Sequence, residues 1–156
     1  MDLIDRAILT LLQEAGGLPI TDIARRVGIS TTPCWNRIKK MEEQGVITGR
    51  TITLDREQIG LPIVVFLSIS VSTQSPDWTA QFADAVNQYP EITEVHRITG
   101  TQSDYLMKVV ASDISGYDAF QQKLISDISF TTMSSSVSLQ EIKYTTKLPL
   151  SHLADG

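Results

Sequence analysis

Apolar residues recur along the first third of the chain at the spacing of a helix face. Leu3, Ile4, Ala7, Ile8, Leu11 and Leu12 predict an amphipathic helix over about 2–14, stopped at Gly16-Gly17. Thr21 is a candidate N-cap for a second helix that carries Ile23, Ala24 and Val27 and stops at Gly28. Ser30, Thr31 or Thr32 caps a third, with Pro33 in the first turn, where its missing N–H costs nothing. Cys34, Ile38 and Met41, at i, i+4 and i+7, form its inward stripe, and Gly45 ends it. Two short helices joined across Gly28-Ile29-Ser30 have the form of a helix-turn-helix, the glycine permitting the tight reversal. Val46-Ile47 and Ile52-Thr53-Leu54 flank a Gly49-Arg50 turn and predict a small hairpin, or wing.

The pattern then changes. After a connector from Asp55 to Leu61 with one helical turn, Ile63 to Ser72 is apolar and β-branched. Trp78 to Tyr89 is helical, with Phe82, Val86 and Tyr89 on one face. Ile92 to Thr99 and Tyr105 to Ala111 read as strands, Tyr117 to Ile128 as a helix, and Met133 to Lys147 as a long last strand. The order βαββαβ is that of a ferredoxin-like split βαβ unit. The expected fold class is α+β, with a winged helix-turn-helix over 1–54, a connector over 55–62, the βαββαβ domain over 63–150 and a tail over 151–156.

Charge supports this division. The net charge of −5 does not suit a DNA-binding protein until it is split along the chain. Residues 1–60 hold eight basic and eight acidic side chains, whereas residues 61–156 hold five and ten. Phosphate attraction depends on the local field, so a neutral segment with basic clusters remains compatible with nucleic acid. The longest apolar run, Leu61 to Leu67, is far short of the roughly 20 residues that span a bilayer. No basic stretch followed by an apolar block opens the chain, so no membrane partner is expected and the expected compartment is the cytoplasm. Cys34 is the single cysteine, which leaves no internal disulfide and no cysteine-based zinc cluster. It reads as a small buried hydrophobe, with thiol sensing as the alternative. His96 reads as structural, and neither a nucleophile–base pair nor a phosphate-binding glycine loop is assembled. The expectation is no catalytic activity, no metal and no cofactor.

The third helix carries the strongest functional signal. With its apolar stripe inward, Thr31, Thr32, Trp35, Asn36, Lys39, Lys40 and Glu43 face outward and Arg37 lies at the margin. Recognition helices present their early residues to base edges and their later cations to phosphates. Thr31, Thr32, Trp35 and Asn36 are therefore assigned to the major groove. Arg37, Lys39 and Lys40, with Arg25 and Arg26 of the second helix and Arg50 of the wing, are assigned to the backbone. Asn36 suits adenine and a threonine methyl suits the thymine methyl. Trp35 is as well read as packing against a neighbour.

The runs Asp2-Leu3-Ile4-Asp5-Arg6-Ala7-Ile8-Leu9 and Val27-Gly28-Ile29-Ser30-Thr31-Thr32-Pro33-Cys34 resemble the Lrp/AsnC (feast/famine) regulators. So do Arg37-Ile38-Lys39-Lys40-Met41-Glu42, Gly45-Val46-Ile47 and Gly100…Asp104-Tyr105-Leu106, in order over nearly the whole chain. The resemblance implies a DNA-binding winged helix-turn-helix followed by a ligand-sensing and oligomerisation domain. It also implies dimers formed through the sheets, octamers of four dimers, and an amino-acid effector bound between dimers. Carried over residue by residue, the effector site falls on Thr99, Gly100, Thr101, Asp104, Ser134 and Ser136. A glycine there admits a ligand to the backbone, and Asp104 suits an amino group. The family places two residues between its glycine and aspartate; here Thr101-Gln102-Ser103 intervene, one residue more. A turn glycine with a turn-capping aspartate is the alternative reading. Thr31-Thr32-Pro33-Cys34-Trp35 with Ile142-Lys143-Tyr144-Thr145-Thr146-Lys147-Leu148-Pro149 resembles the cysteine-responsive branch, which suggests L-cysteine.

The expected function is a homo-oligomeric regulator that binds pseudo-palindromic double-stranded DNA and responds to a small amino-acid-type effector. The rivals are an enzyme built on the α/β domain and a ligand-binding oligomeric module without DNA function.

Overall fold

Asp2 starts the first helix by a reciprocal capping box. Its carboxylate accepts the Asp5 N–H at 2.9 Å, and the Asp5 carboxylate accepts the Asp2 N–H at 3.0 Å. The helices that follow are α1 (Leu3–Glu14), α2 (Ile20–Val27) and α3 (Thr31–Glu43). The computed structural model describes residues 1–72, 74–100 and 102–153. Pro19, not Thr21, occupies the cap position of α2, and Thr21 lies inside the helix. Gly28 closes α2 at φ +80°, and the N–H groups of Gly28 and Ile29 both donate to the Ala24 carbonyl. That left-handed corner is open to glycine at little cost and lets α3 begin after two residues, with Ser30 as its N-cap. Ile8, Leu9, Ile23, Ala24, Cys34, Ile38 and Met41 form the buried core of the three helices.

The expected hairpin across Gly49-Arg50 is not formed. Residues 46–54 carry no strand, because the N–H groups of Val46 and Ile47 both donate to the Met41 carbonyl at the end of α3. Those donors are unavailable to a ladder.

The second unit holds β1 (Ile63–Ser70), α4 (Pro76–Val86), β2 (Ile92–Arg97), β3 (Tyr105–Ala111), α5 (Ile114–Asp127) and β4 (Thr132–Val137). The strands pair antiparallel in the order β2-β3-β1-β4, the split βαβ arrangement expected from the sequence. Alternation fixes the faces. Val65, Leu67 and Ile69 of β1 and Tyr105, Met107 and Val109 of β3 point to the helices. There they pack with Phe82 and Val86 of α4 and Tyr117, Phe120 and Leu124 of α5. Phe66, Ser68, Leu106, Lys108, Glu94, His96, Ser134 and Ser136 fall on the other face by the strand register.

The last strand is shorter than the expected 133–147. It runs antiparallel to β1, whose ladder begins at Ile63 after Pro62, so partners run out once the Ser138 N–H has reached the Val64 carbonyl. The chain divides into one unit of Met1–Thr53 with Lys143–Gly156 and another of Leu54–Ile142. The expected range of 63–150 for the second domain thus differs at both ends. The connector 55–62 belongs with the sheet, and the residues from Lys143 onward belong with the three helices. Of the expected tail, residues 154–156 lie outside the described residues.

Candidate nucleic-acid interface and effector site

The stripe of Cys34, Ile38 and Met41 sits at 0–2% exposure and thereby fixes which way α3 faces. Thr31, Thr32, Trp35, Asn36, Lys39 and Lys40 are all exposed on the opposite side. Trp35 is 46% exposed, and Lys39 Nζ lies 5.1 Å from the centre of its ring. The ammonium on the ring face holds an indole in solvent, which favours an aromatic presented outward over one packed inward.

The cations differ in what already touches them. Arg37 Nη1 donates to Asp2 and Asp5 at 2.7 Å each, tying the middle of α3 to the first turn of α1. Both carboxylates hold its guanidinium in the charged form, with Asp5 the larger cause. Arg37, expected at a phosphate, is thus already engaged by two carboxylates and is 33% exposed. Arg25 pairs with Asp22 at 2.7 Å, Arg50 with Glu42 at 2.9 Å and Lys39 with Glu43 at 3.8 Å, all near the surface. Such exposed pairs are worth about 1 kcal/mol or less, so a phosphate displaces the carboxylate readily. Arg26 and Lys40 are exposed and make no ion pair among the described residues. Cys34 is buried, and desolvation pushes its thiol above the ordinary value. That is the behaviour of a packing residue and not of a reactive one.

Of the effector candidates, Thr99, Gly100 and Asp104 lie at the β2–β3 end of the sheet, and Ser134 and Ser136 lie on β4 opposite Ser68 and Phe66. Gly100 sits at φ +86°, a conformation that favours glycine, and Thr99 beside it is exposed. Thr101 lies outside the described residues. Asp104 is not a free carboxylate: one oxygen accepts the Val71 N–H at 2.8 Å and the other the Gln74 amide at 2.9 Å. Its backbone also bonds Ile69 and Ile98, so its principal structural task is to staple the β2–β3 turn to the end of β1. Ser134 and Ser136 are exposed on β4, across β1 from that turn. Ser70 links the turn to the segment that enters β4, its hydroxyl donating to the Gln102 carbonyl at 2.6 Å. The Ser70 carbonyl accepts the Thr131 N–H at 2.7 Å. Ser70 and Gln74 were missed by sequence reasoning. The polar run Ser70-Val71-Ser72-Thr73-Gln74-Ser75 after an apolar strand was the available signal.

Among the described residues no group of three or more His, Cys, Asp or Glu could hold a metal. No helix among them is long and apolar enough to cross a membrane.

Comparison with known proteins agrees with this geometry. A family model for winged helix-turn-helix DNA-binding matches residues 1–48, and one for the Lrp/AsnC ligand binding domain matches residues 64–148. The DNA-binding transcriptional activator DecR of Escherichia coli K12 is 37% identical over 151 residues, 96% of this chain and 99% of its own. An AsnC family transcriptional regulator from Agrobacterium tumefaciens superposes with a TM-score of 0.94 at 44% identity, covering 99% of this chain and all of that one. A transcriptional regulator from Neisseria meningitidis, solved as a complex with L-Met, gives a TM-score of 0.91 at 33% identity over 99% of both chains. These are DNA-binding regulators, not enzymes. With both of its halves matched in order, the chain belongs to the Lrp/AsnC family of transcription regulators.

Proposed function

We propose that this regulator is a cytoplasmic homo-oligomer that reads pseudo-palindromic double-stranded DNA through α3. An amino-acid effector at the β2–β3 turn adjusts its DNA affinity or its assembly. The observation that carries the DNA half is the orientation of α3: a fully buried stripe on one side and six exposed polar, aromatic or basic residues on the other. Thr31, Thr32, Trp35 and Asn36 supply base contacts, while Lys40, Arg26, Lys39, Arg25 and Arg50 supply phosphate contacts. A two-fold dimer repeats the recognition helix on both half-sites, which is why the site is pseudo-palindromic.

The sheet face away from the helices supports dimerisation: Phe66 is 40% exposed there, with Leu106 on the adjacent strand. Four such dimers make the proposed octamer. Thr99 and Gly100 lie beyond β3 and Ser134 and Ser136 on β4, on opposite sides of β1, and in this reading a second copy completes the effector site. The L-Met complex of the Neisseria relative supports an amino acid as the class, and L-cysteine and L-methionine are the first two to try.

The test is a competition experiment on a promoter fragment with single variants. Asn36→Ala should relax discrimination at one base position by about 1–3 kcal/mol. Lys40→Ala should weaken specific and non-specific duplexes alike and reduce the salt slope by about one unit per protomer bound. Equal loss on every sequence for Asn36→Ala would remove it from the base-reading set.

A further inference from the structure

The segment from Lys143 to Leu153 leaves the sheet and returns to the three helices. It is held there by three independent contacts. The Gln13 side chain clamps the backbone of Leu148, its amide donating to the Leu148 carbonyl at 3.2 Å and its carbonyl accepting the Leu148 N–H at 2.6 Å. Leu150 packs against the α1–α3 core, and Arg6 donates to the Leu153 carbonyl. Thr146 and Leu148 line a groove of about 780 Å³ whose other wall is Thr48 to Thr53, Arg50 included. The returning chain therefore lies along the stretch where the wing was expected.

This placement changes the charge of the DNA-binding unit. Met1–Thr53 with Lys143–Gly156 holds nine basic residues and seven acidic, while Leu54–Ile142 holds four and eleven. Residues 1–53 alone hold seven basic and six acidic side chains, so Lys143 and Lys147 add to an excess of positive charge already there. Both are exposed, and neither makes an ion pair among the described residues. Lys147 sits between two groove-lining residues, beside the segment of Arg50, whose own partner Glu42 is on α3.

We propose that Lys143 and Lys147 form a second phosphate-binding site. In this role the returning C-terminal segment substitutes for a wing, engaging the DNA backbone beside the groove read by α3. The inference rests on the reading of α3 as the recognition helix. Gln13 is a positioning residue in it, since it fixes Leu148 next to Lys147 and touches no DNA itself.

The experiment measures affinity for a mixed-sequence DNA duplex by fluorescence anisotropy across a salt series, using the full chain. Each lysine that meets a phosphate contributes about 0.9 to the slope of log K against log salt. The double variant Lys143→Gln, Lys147→Gln should lose about two units of slope per protomer bound, and Lys143→Arg, Lys147→Arg should keep them. Gln13→Ala should lose part of the same slope with every charge still present. Lys123→Gln, which removes one lysine charge from the other unit, is the control and should leave the slope unchanged. An unchanged slope for the double Gln variant, with Lys40→Ala reduced, overturns the second site and leaves the α3 reading intact. No binding by the wild type in any salt overturns both. Circular dichroism of each variant checks folding, and the Arg pair keeps the positive charge at both positions.

Discussion

Asp2 accepts the Asp5 N–H and the Arg37 guanidinium with the same carboxylate, and these bonds, the backbone one first, hold its carboxyl below its ordinary value of 3.8. A depressed carboxyl contributes stability above its unfolded-state value and loses that contribution as pH falls through the folded one. Asp2→Asn keeps a capping side chain but removes the charge that faces Arg37. It should lower the melting temperature at pH 7, and the gap from wild type should close as pH falls below the ordinary carboxylate value. A gap that persists at low pH would mean that the cap, and not the ion pair, carries the effect. The outward set on α3 was legible residue by residue because one helical stripe determines its complement. The engagement of Arg37 was not, since Asp2 and Asp5 lie 35 and 32 positions away in sequence. Asp104 was legible as a ligand contact or a turn cap, but its particular partners Val71 and Gln74 depend on strand pairing that no local pattern encodes.

At the scale of elements, the turn between α2 and α3 depends on one backbone angle. A Cβ on Gly28 would meet nothing within 4 Å, so the cost of replacing it is conformational alone. Gly28→Ala should destabilise the helical unit by about 1 kcal/mol in denaturant unfolding, and Gly28→Asn by less. A loss near zero would show that the corner tolerates a rotated α3. The five helices and four strands among the described residues were legible in kind and order, because hydrophobic period and turn residues agree along the chain. The two failures share a cause. Val46 and Ile47 look like a strand, but the Met41 carbonyl takes both of their N–H groups. Met133 to Lys147 alternates like a long strand, but its partner strand starts only after Pro62. Strands are completed by partners, and a sequence pattern shows only one side of the ladder.

For the whole molecule, connectivity matters more than order along the sequence. The effector unit is an insertion between two parts of the DNA-binding unit, joined to it at Thr53–Leu54 and again at Ile142–Lys143. β4, which carries Ser134 and Ser136, ends only a few residues before the second junction. The segment that follows grips α1 through Gln13 and Leu150. The DNA-binding unit is therefore more basic than residues 1–60 taken alone, because Asp55 and Glu57 belong with the other unit and two of its lysines arrive from the other end of the chain. The measurement that tests the central claim most directly is retardation of a promoter fragment at two salt concentrations, with and without L-cysteine and L-methionine. The account predicts specific retardation that weakens steeply with salt and shifts in strength or stoichiometry with one of the amino acids. Retardation equal on promoter and unrelated DNA, or none at all, would contradict it.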